Sequence, residues 1–324
     1  MIILITGDKG FIGSHLRDSL LSDGHIVLGF DHIDDYDVGN ISEDIVKKVN
    51  KIVHLAAYAD VRASMEDPNK WYENNVIKSS RLFELCNKFN TQCIYASSSC
   101  VKEWWKSPYG TSKKVMEDMA NVQGRFVGLR FSNVYGDNGR DTMLLPLMLK
   151  GKLKYSTNHT RDFVHVNDVV NCIKLFLNMD NFDSLDELIY NVGTGKGRKI
   201  SDLVKQYGFD LPITEGDPCE MKDNTADNAN LLKLGWSPKE DLDKYLKGKL
   251  NGDTNNEEYI QGLLSKKLRV RSNWHQRFRR SSRWSYRWGF TIFFNISFWS
   301  SWEDVSQIWD HSNRHRQSKR KHNN

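Results

Sequence analysis

Ile2-Ile3-Leu4-Ile5-Thr6-Gly7-Asp8-Lys9-Gly10-Phe11-Ile12-Gly13 is the stretch that decides the fold. Its apolar start is the length of a buried strand, and the glycines that follow, spaced Gly-x-x-Gly-x-x-Gly, lead into a helix-like run over residues 12–22. Glycines between a strand and a helix permit a tight turn, let backbone approach a pyrophosphate and let the helix pack closely on the sheet. The helix N-terminus adds free N–H groups and partial positive charge, which suits a phosphate.

Working outward, short apolar runs keep alternating with helix-like segments. Ile26–Phe30 is followed by an apolar run at 51–56 and a helix at 74–87, then a run at 92–96, a helix at 109–121 and a run at 126–130. That rhythm means βαβ units and a parallel sheet covered on both faces, an α/β fold of the Rossmann, doubly wound type. Residues 1–150 are expected to form mainly this dinucleotide-binding domain. Residues 151–250 then form mainly a smaller C-terminal substrate-binding lobe, with some chain crossing back to the sheet, and 251–324 a linker and tail.

The chain has 39% hydrophobic and 27% charged residues, with a mean hydropathy of -0.60. Its basic excess is local. Residues 269–324 hold 12 Lys+Arg against 3 Asp+Glu, a balance of +9 that leaves the remainder at -4 within the chain's +5. Six tryptophans (Trp274, Trp284, Trp288, Trp299, Trp302, Trp309) stand among those arginines without strand or helix period, so no independent fold is expected there. Contact of this tail with nucleic acid or an anionic membrane is a minor alternative; the abrupt change in residue usage also fits a displaced reading frame. Five cysteines without a Cys-x-x-Cys pair point to neither a disulfide framework nor a metal site, and a reducing cytoplasmic setting follows. Nothing reads as a secretory leader or a membrane span.

Asp31 closes the second strand, where a carboxylate accepts hydrogen bonds from adenosine ribose hydroxyls and repels a 2'-phosphate, so NAD is favoured over NADP. The run at 92–96 delivers Ser97, Ser98 and Ser99 at its C-terminal edge. Tyr109 and Lys113 stand four apart at a helix start after Pro108, on one face. A neighbouring ammonium favours phenolate and would make Tyr109 a general base. Tyr245 and Lys249 repeat the spacing but read as a solvated helix face.

Segments 6–13, 54–57, 95–98, 107–113, 129–136, 161–166 and 190–195 together resemble the extended short-chain dehydrogenase/reductases, specifically the NAD-dependent sugar-nucleotide epimerase/dehydratase family with its UDP-glucose 4-epimerase-like members. The resemblance implies an NAD site made by Gly7, Gly10, Phe11, Ile12, Gly13, Asp31, Asn40, Ile41, Leu55, Ala56, Ala57, Asn75, Tyr109 and Lys113. It makes Ser98 the hydrogen-bonding hydroxyl, Tyr109 the base, and Lys113 the holder of cofactor ribose and phenolate charge. Ser99, Asn133 and Arg161 would bind a nucleotide-diphosphate sugar; without the resemblance, Arg161 reads as a surface ion pair with Asp162. The implied activity is epimerisation through a transient keto-sugar, in a homodimer.

Ser99 and Cys100 stand where dehydratases and decarboxylases of the family carry acids, which argues against both. Cys100 matches a cysteine of GDP-fucose synthase, so a keto-sugar reductase is the alternative, and a non-catalytic NAD-binding scaffold is a third reading. The stretch from Ser99 to Tyr109 is short for the family, and Thr214 and Glu215 replace its late arginine before Gly216 and Asp217.

Overall fold

The computed structural model describes residues 1–124 and 126–252; the basic tail and the expectations attached to it lie outside the described residues. Five strands follow the apolar runs, β1 (Ile2–Thr6), β2 (Ile26–Phe30), β3 (Lys51–His54), β4 (Gln92–Ser98) and β5 (Val127–Phe131), and the further described strands are β6 (Asn133–Tyr135), β7 (Ser156–Thr157), β8 (Thr160–His165), β9 (Ile189–Val192), β10 (Gly197–Lys199) and β11 (Ile213–Thr214).

The main sheet runs β2-β1-β3-β4-β5-β9, every pair parallel. Because side chains alternate along a strand, Ile3 and Ile5 of β1 face the Phe11–Ser22 and Val166–Leu177 helices, while Leu4 faces the core shared with the Lys78–Lys88 and Pro108–Gln123 helices. The chain leaves β1 toward β2 on one side and returns to β3 on the other. That reversal opens a crevice at the C-terminal ends of β1 and β3, the position where open α/β sheets bind ligands. Among the described residues β2 pairs only with β1, and its Ile26 and Leu28 are exposed.

A second, smaller layer carries the sheet β10-β8-β6 and the pair β11-β7 over a core of Tyr135, Leu145, Met148, Phe163, Leu203 and Leu246. The later chain does not stay there: β9 completes the main sheet, and Trp236 packs into the main core, donating to the Asp168 carbonyl at 3.0 Å. Asp162, fully buried on β8, accepts from Thr194 N and Oγ1 (2.9 and 2.6 Å), Gly195 N (2.9 Å) and Ala226 N (3.1 Å), tying these returning loops to one carboxylate. Among the described residues no helix is long and apolar enough to cross a membrane.

Candidate active site

Backbone crowding shows what the first glycines do. Gly7 has φ +75°, and a Cβ there would lie 2.8 Å from Ala56 N; at Gly13 it would lie 2.0 Å from the Gly7 carbonyl oxygen. Gly10 differs, since its nearest neighbour would be 3.2 Å away. Two glycines therefore let the turn, β3's exit and the helix share one space, and the third leaves an open face. Gly10 also caps the Phe11–Ser22 helix without any side-chain hydrogen bond. Leu55, Ala56, Ala57, Phe11 and Ile12 are half-buried; Phe11, Ile12 and Leu55 pack against the core on one side of the sheet and Ala56 against the core on the other.

Asp31 is buried, and its carboxylate accepts from Lys9 N and Ile33 N, each at 3.1 Å, which ties the end of β2 to the glycine turn. A carboxylate has further lone pairs for hydroxyl donors. Asp8 is buried alongside in the notch left by Gly29, so a second carboxylate stands at this end of the crevice. A cradle closed to Cβ atoms and lined by acids fits NAD and disfavours a 2'-phosphate.

Asn40 is exposed, whereas Ile41 is a core residue whose N–H already donates to the Val38 carbonyl. Asn75 is fully buried in a π turn, Glu73–Ile77, within the expected helix. It accepts from Tyr58 N (2.9 Å) and donates to Tyr58 O (3.0 Å) and Ser112 Oγ (3.1 Å), so it joins the loop after β3 to the helix of Tyr109. Local widening of a helix is a common way to aim a functional side chain.

β4 runs two residues further than the apolar pattern predicts. Ser97 and Ser98 belong to it, paired with Arg130 and Phe131. Ser97 is a packing residue that donates to Glu117 Oε1 at 2.6 Å, and Glu117 is in turn gripped by both edges of Arg130 at 2.7 Å. Ser98 accepts from Cys100 N at 3.2 Å and starts the Ser99–Lys106 turn. Ser107 then caps the next helix through Gly110 N, with Pro108 in its first turn, and Ser64 accepts from Tyr109 N at 3.2 Å. These caps fix the start of the helix that carries Tyr109, whose phenol lies near enough to Ser98 for that hydroxyl to lower its pKa.

The electrostatics depart from expectation. Burial pushes the Tyr109 phenol well above its ordinary range, with Cys100 adding to the rise and Ser98 and Arg140 opposing it; Lys113 is not among the causes. Burial also pulls Lys113 down to about 7, partly offset by Glu117 one turn along. Its ammonium donates to Ala96 O at 2.8 Å. Desolvation outweighs the ammonium's pull on the phenol.

Asn224 donates to Asn133 Oδ1 (2.7 Å) and Ser99 Oγ (3.3 Å), joining two of the sequence candidates through a residue that no local motif marks. Arg161 is buried and pairs with Glu220 at 3.1 Å rather than with Asp162, because the Asp162 carboxylate is already taken by the backbone of the returning loops. Tyr245 is no solvated helix residue either. Its ring packs 5.1 Å from Tyr135 and 5.6 Å from His165, and it borders a cavity of about 180 Å³ reaching from Asn133 to Arg140, Met143 and Pro146.

Known proteins share this architecture. Protein CapI of Staphylococcus aureus is 34% identical over 227 residues, 53% of this chain and 68% of that protein. The UDP-glucose 4-epimerase of Caenorhabditis elegans is 27% identical over 348 residues, 79% of this chain and 98% of that one. Among solved structures, the UDP-glucose 4-epimerase of Thermus thermophilus in complex with NAD superposes with a TM-score of 0.65 at 25% identity, covering 78% of this chain and 98% of the other. The sequence profile of the NAD dependent epimerase/dehydratase family matches residues 3–193, more than half of the chain. The chain belongs to that family, whose cofactor is NAD.

Proposed function

We propose that this chain epimerises a nucleotide-diphosphate sugar through a transient keto-sugar, with Tyr109 as general base. What supports the reading is the placement of Ser98 at the C-terminal end of β4, of Tyr109 and Lys113 one turn apart on the helix that follows, with Lys113 donating to Ala96 O of β4 at 2.8 Å, and of the Gly7–Ala56 cradle on the neighbouring strands. The glycine turn and Asp31 would hold NAD, which would supply reversible hydride acceptance at the sugar carbon.

The chain's own groups handle the proton. Tyr109, as phenolate, takes it from the sugar hydroxyl and becomes a phenol, and Ser98 donates a hydrogen bond to the phenolate before that transfer. Burial favours the phenol, which suits the return step in which Tyr109 hands the proton back; the first step needs the phenolate, which the Lys113 ammonium and the positive charge of a bound nicotinamide would favour. Lys113, drawn down to about 7, is close to half charged at neutral pH and can steady the phenolate. Asn133, Ser99 and Arg161 are the substrate contacts of this reading, and a homodimer, checked by sedimentation, comes with it from the family resemblance.

The test is incubation of the purified protein with NAD and a panel of UDP-, GDP- and dTDP-sugars, followed by NMR. Interconversion of two epimers without net NADH is expected. Tyr109→Phe should lose about a hundred-fold or more in turnover; unchanged conversion would sink the assignment. Continuous NADH consumption would instead favour the keto-sugar reductase, a reading supported by Cys100 standing close enough to influence Tyr109.

A further inference from the structure

We propose that Arg62 and Arg161 form a two-arginine clamp for the substrate's diphosphate, and that Glu220 is its built-in occupant, displaced when the diphosphate binds. The inference rests on the nucleotide-sugar reading above and deepens it.

One carboxylate is stretched between two guanidinium groups. Glu220 Oε1 lies 2.8 Å from Arg62 Nη2, and its Oε2 lies 3.1 Å from Arg161 Nη2. The arginines come from different halves of the fold, Arg62 from the Val61–Glu66 helix after β3 and Arg161 from β8. Arg161 is fixed, since its other nitrogen donates to Thr160 O (2.9 Å) and Met221 O (2.8 Å). Arg62 is half exposed and also reaches the Tyr155 hydroxyl at 3.4 Å.

Glu220 can leave without unfolding its loop. Its N–H donates to Asp217 O at 3.0 Å and its carbonyl accepts from Lys106 at 3.5 Å, so the backbone stays while the partly exposed carboxylate rotates into water. Charge favours the exchange. One carboxylate neutralises one of two guanidinium charges, whereas the two phosphoryl groups of a sugar nucleotide match both, and each planar fork can pair phosphate oxygens.

The clamp also lies on the substrate side of the site. Arg161 and Glu220 both act electrostatically on Cys100, the residue after Ser99, and Ser99 is bridged by Asn224 to Asn133. Thr214 stands where the family resemblance places a late arginine, and Arg62 supplies a second guanidinium from another element.

The experiment is calorimetric titration of inorganic pyrophosphate, and of UDP, GDP and dTDP, into the full chain saturated with NAD. Glu220→Gln should tighten pyrophosphate by about tenfold, as expected for freeing two partly desolvated cations from an internal competitor. Arg62→Met should weaken it by a similar factor, and the double variant should bind more tightly than Arg62→Met and less tightly than Glu220→Gln, because Glu220 still occupies Arg161 when Arg62 is gone. Glu220→Ala, with folding checked by circular dichroism, covers the case in which the glutamine amide holds the arginines in place. Equal or weaker binding in both folded Glu220 variants, or no effect of Arg62→Met, overturns the proposal. Sugar conversion is followed in parallel. Conversion that ignores every Glu220 change sinks the clamp and leaves the epimerase standing; the expected anion response without conversion of any sugar nucleotide does the reverse.

Discussion

His54 ends β3 sealed from water, with one ring nitrogen 2.7 Å from Thr6 Oγ1 and the other 2.9 Å from Ser79 Oγ. Burial, helped by the Lys113 charge, holds its pKa down to about 3 from 6.5. The unfolded chain therefore binds this proton first as acid is added. Stability is complete above pH 6.5 and is lost as pH falls toward 3, with a limiting slope of about 1.4 kcal/mol per pH unit for one such group. His54→Asn, which keeps polar atoms near both hydroxyls, should flatten that slope in urea denaturation; an unchanged slope would exclude His54 as its source. Tyr109, Lys113 and Ser98 were legible in the sequence because strand end and helix start each leave a local mark. The partners that hold them, Ser64, Glu117 and Asn224, were not. Glu117 alone offered a signal, four residues beyond Lys113 on the same helix face.

At the scale of elements, the glycine turn separates fold from ligand. Gly7→Ala forces a methyl into backbone at φ +75° and should cost about 2 kcal/mol or more, seen as a lower melting temperature. Gly10→Ala meets one backbone atom, the Gly7 carbonyl oxygen at 3.2 Å, at a φ open to any residue, so it should cost less stability than Gly7→Ala, within about 2 kcal/mol of wild type, while NAD binds at least about tenfold more weakly by fluorescence titration. Equal NAD affinity in Gly10→Ala would remove the pyrophosphate from that face. Apolar runs placed the main strands correctly because a buried parallel strand is apolar along its whole length. The pattern stopped β4 short, since Ser97 and Ser98 look like turn residues until Glu117 and Tyr109 are brought to them by tertiary packing. The π turn of Asn75 escaped for the same reason, as its hydrogen bonds to Tyr58 and Ser112 come from elsewhere in the chain.

Over the whole molecule, Asp162 joins β8 to loops that return from the second layer. Asp162→Ala would strand four donors at once, and a cost on the order of 3 kcal/mol is expected in urea denaturation, with loss of sugar binding ahead of NAD binding. A cost below about 1 kcal/mol would show that the loops hold themselves. β9 and Trp236 sit late in the sequence yet pack in the main core, a return of the chain to the sheet that the sequence reading allows for without placing it on these residues. The outer rim of that sheet governs how the protein behaves in a crowd. Among the described residues β2 offers an unzipped margin with two greasy side chains, and the loop just past it carries Asp34, Asp35 and Asp37. Lys9 and Lys78 already pair with Asp34 and Asp37, so among the described residues Asp35 is left as the anion of these three without a lysine partner, and any repulsion it offers at that margin weakens as added electrolyte shortens its reach.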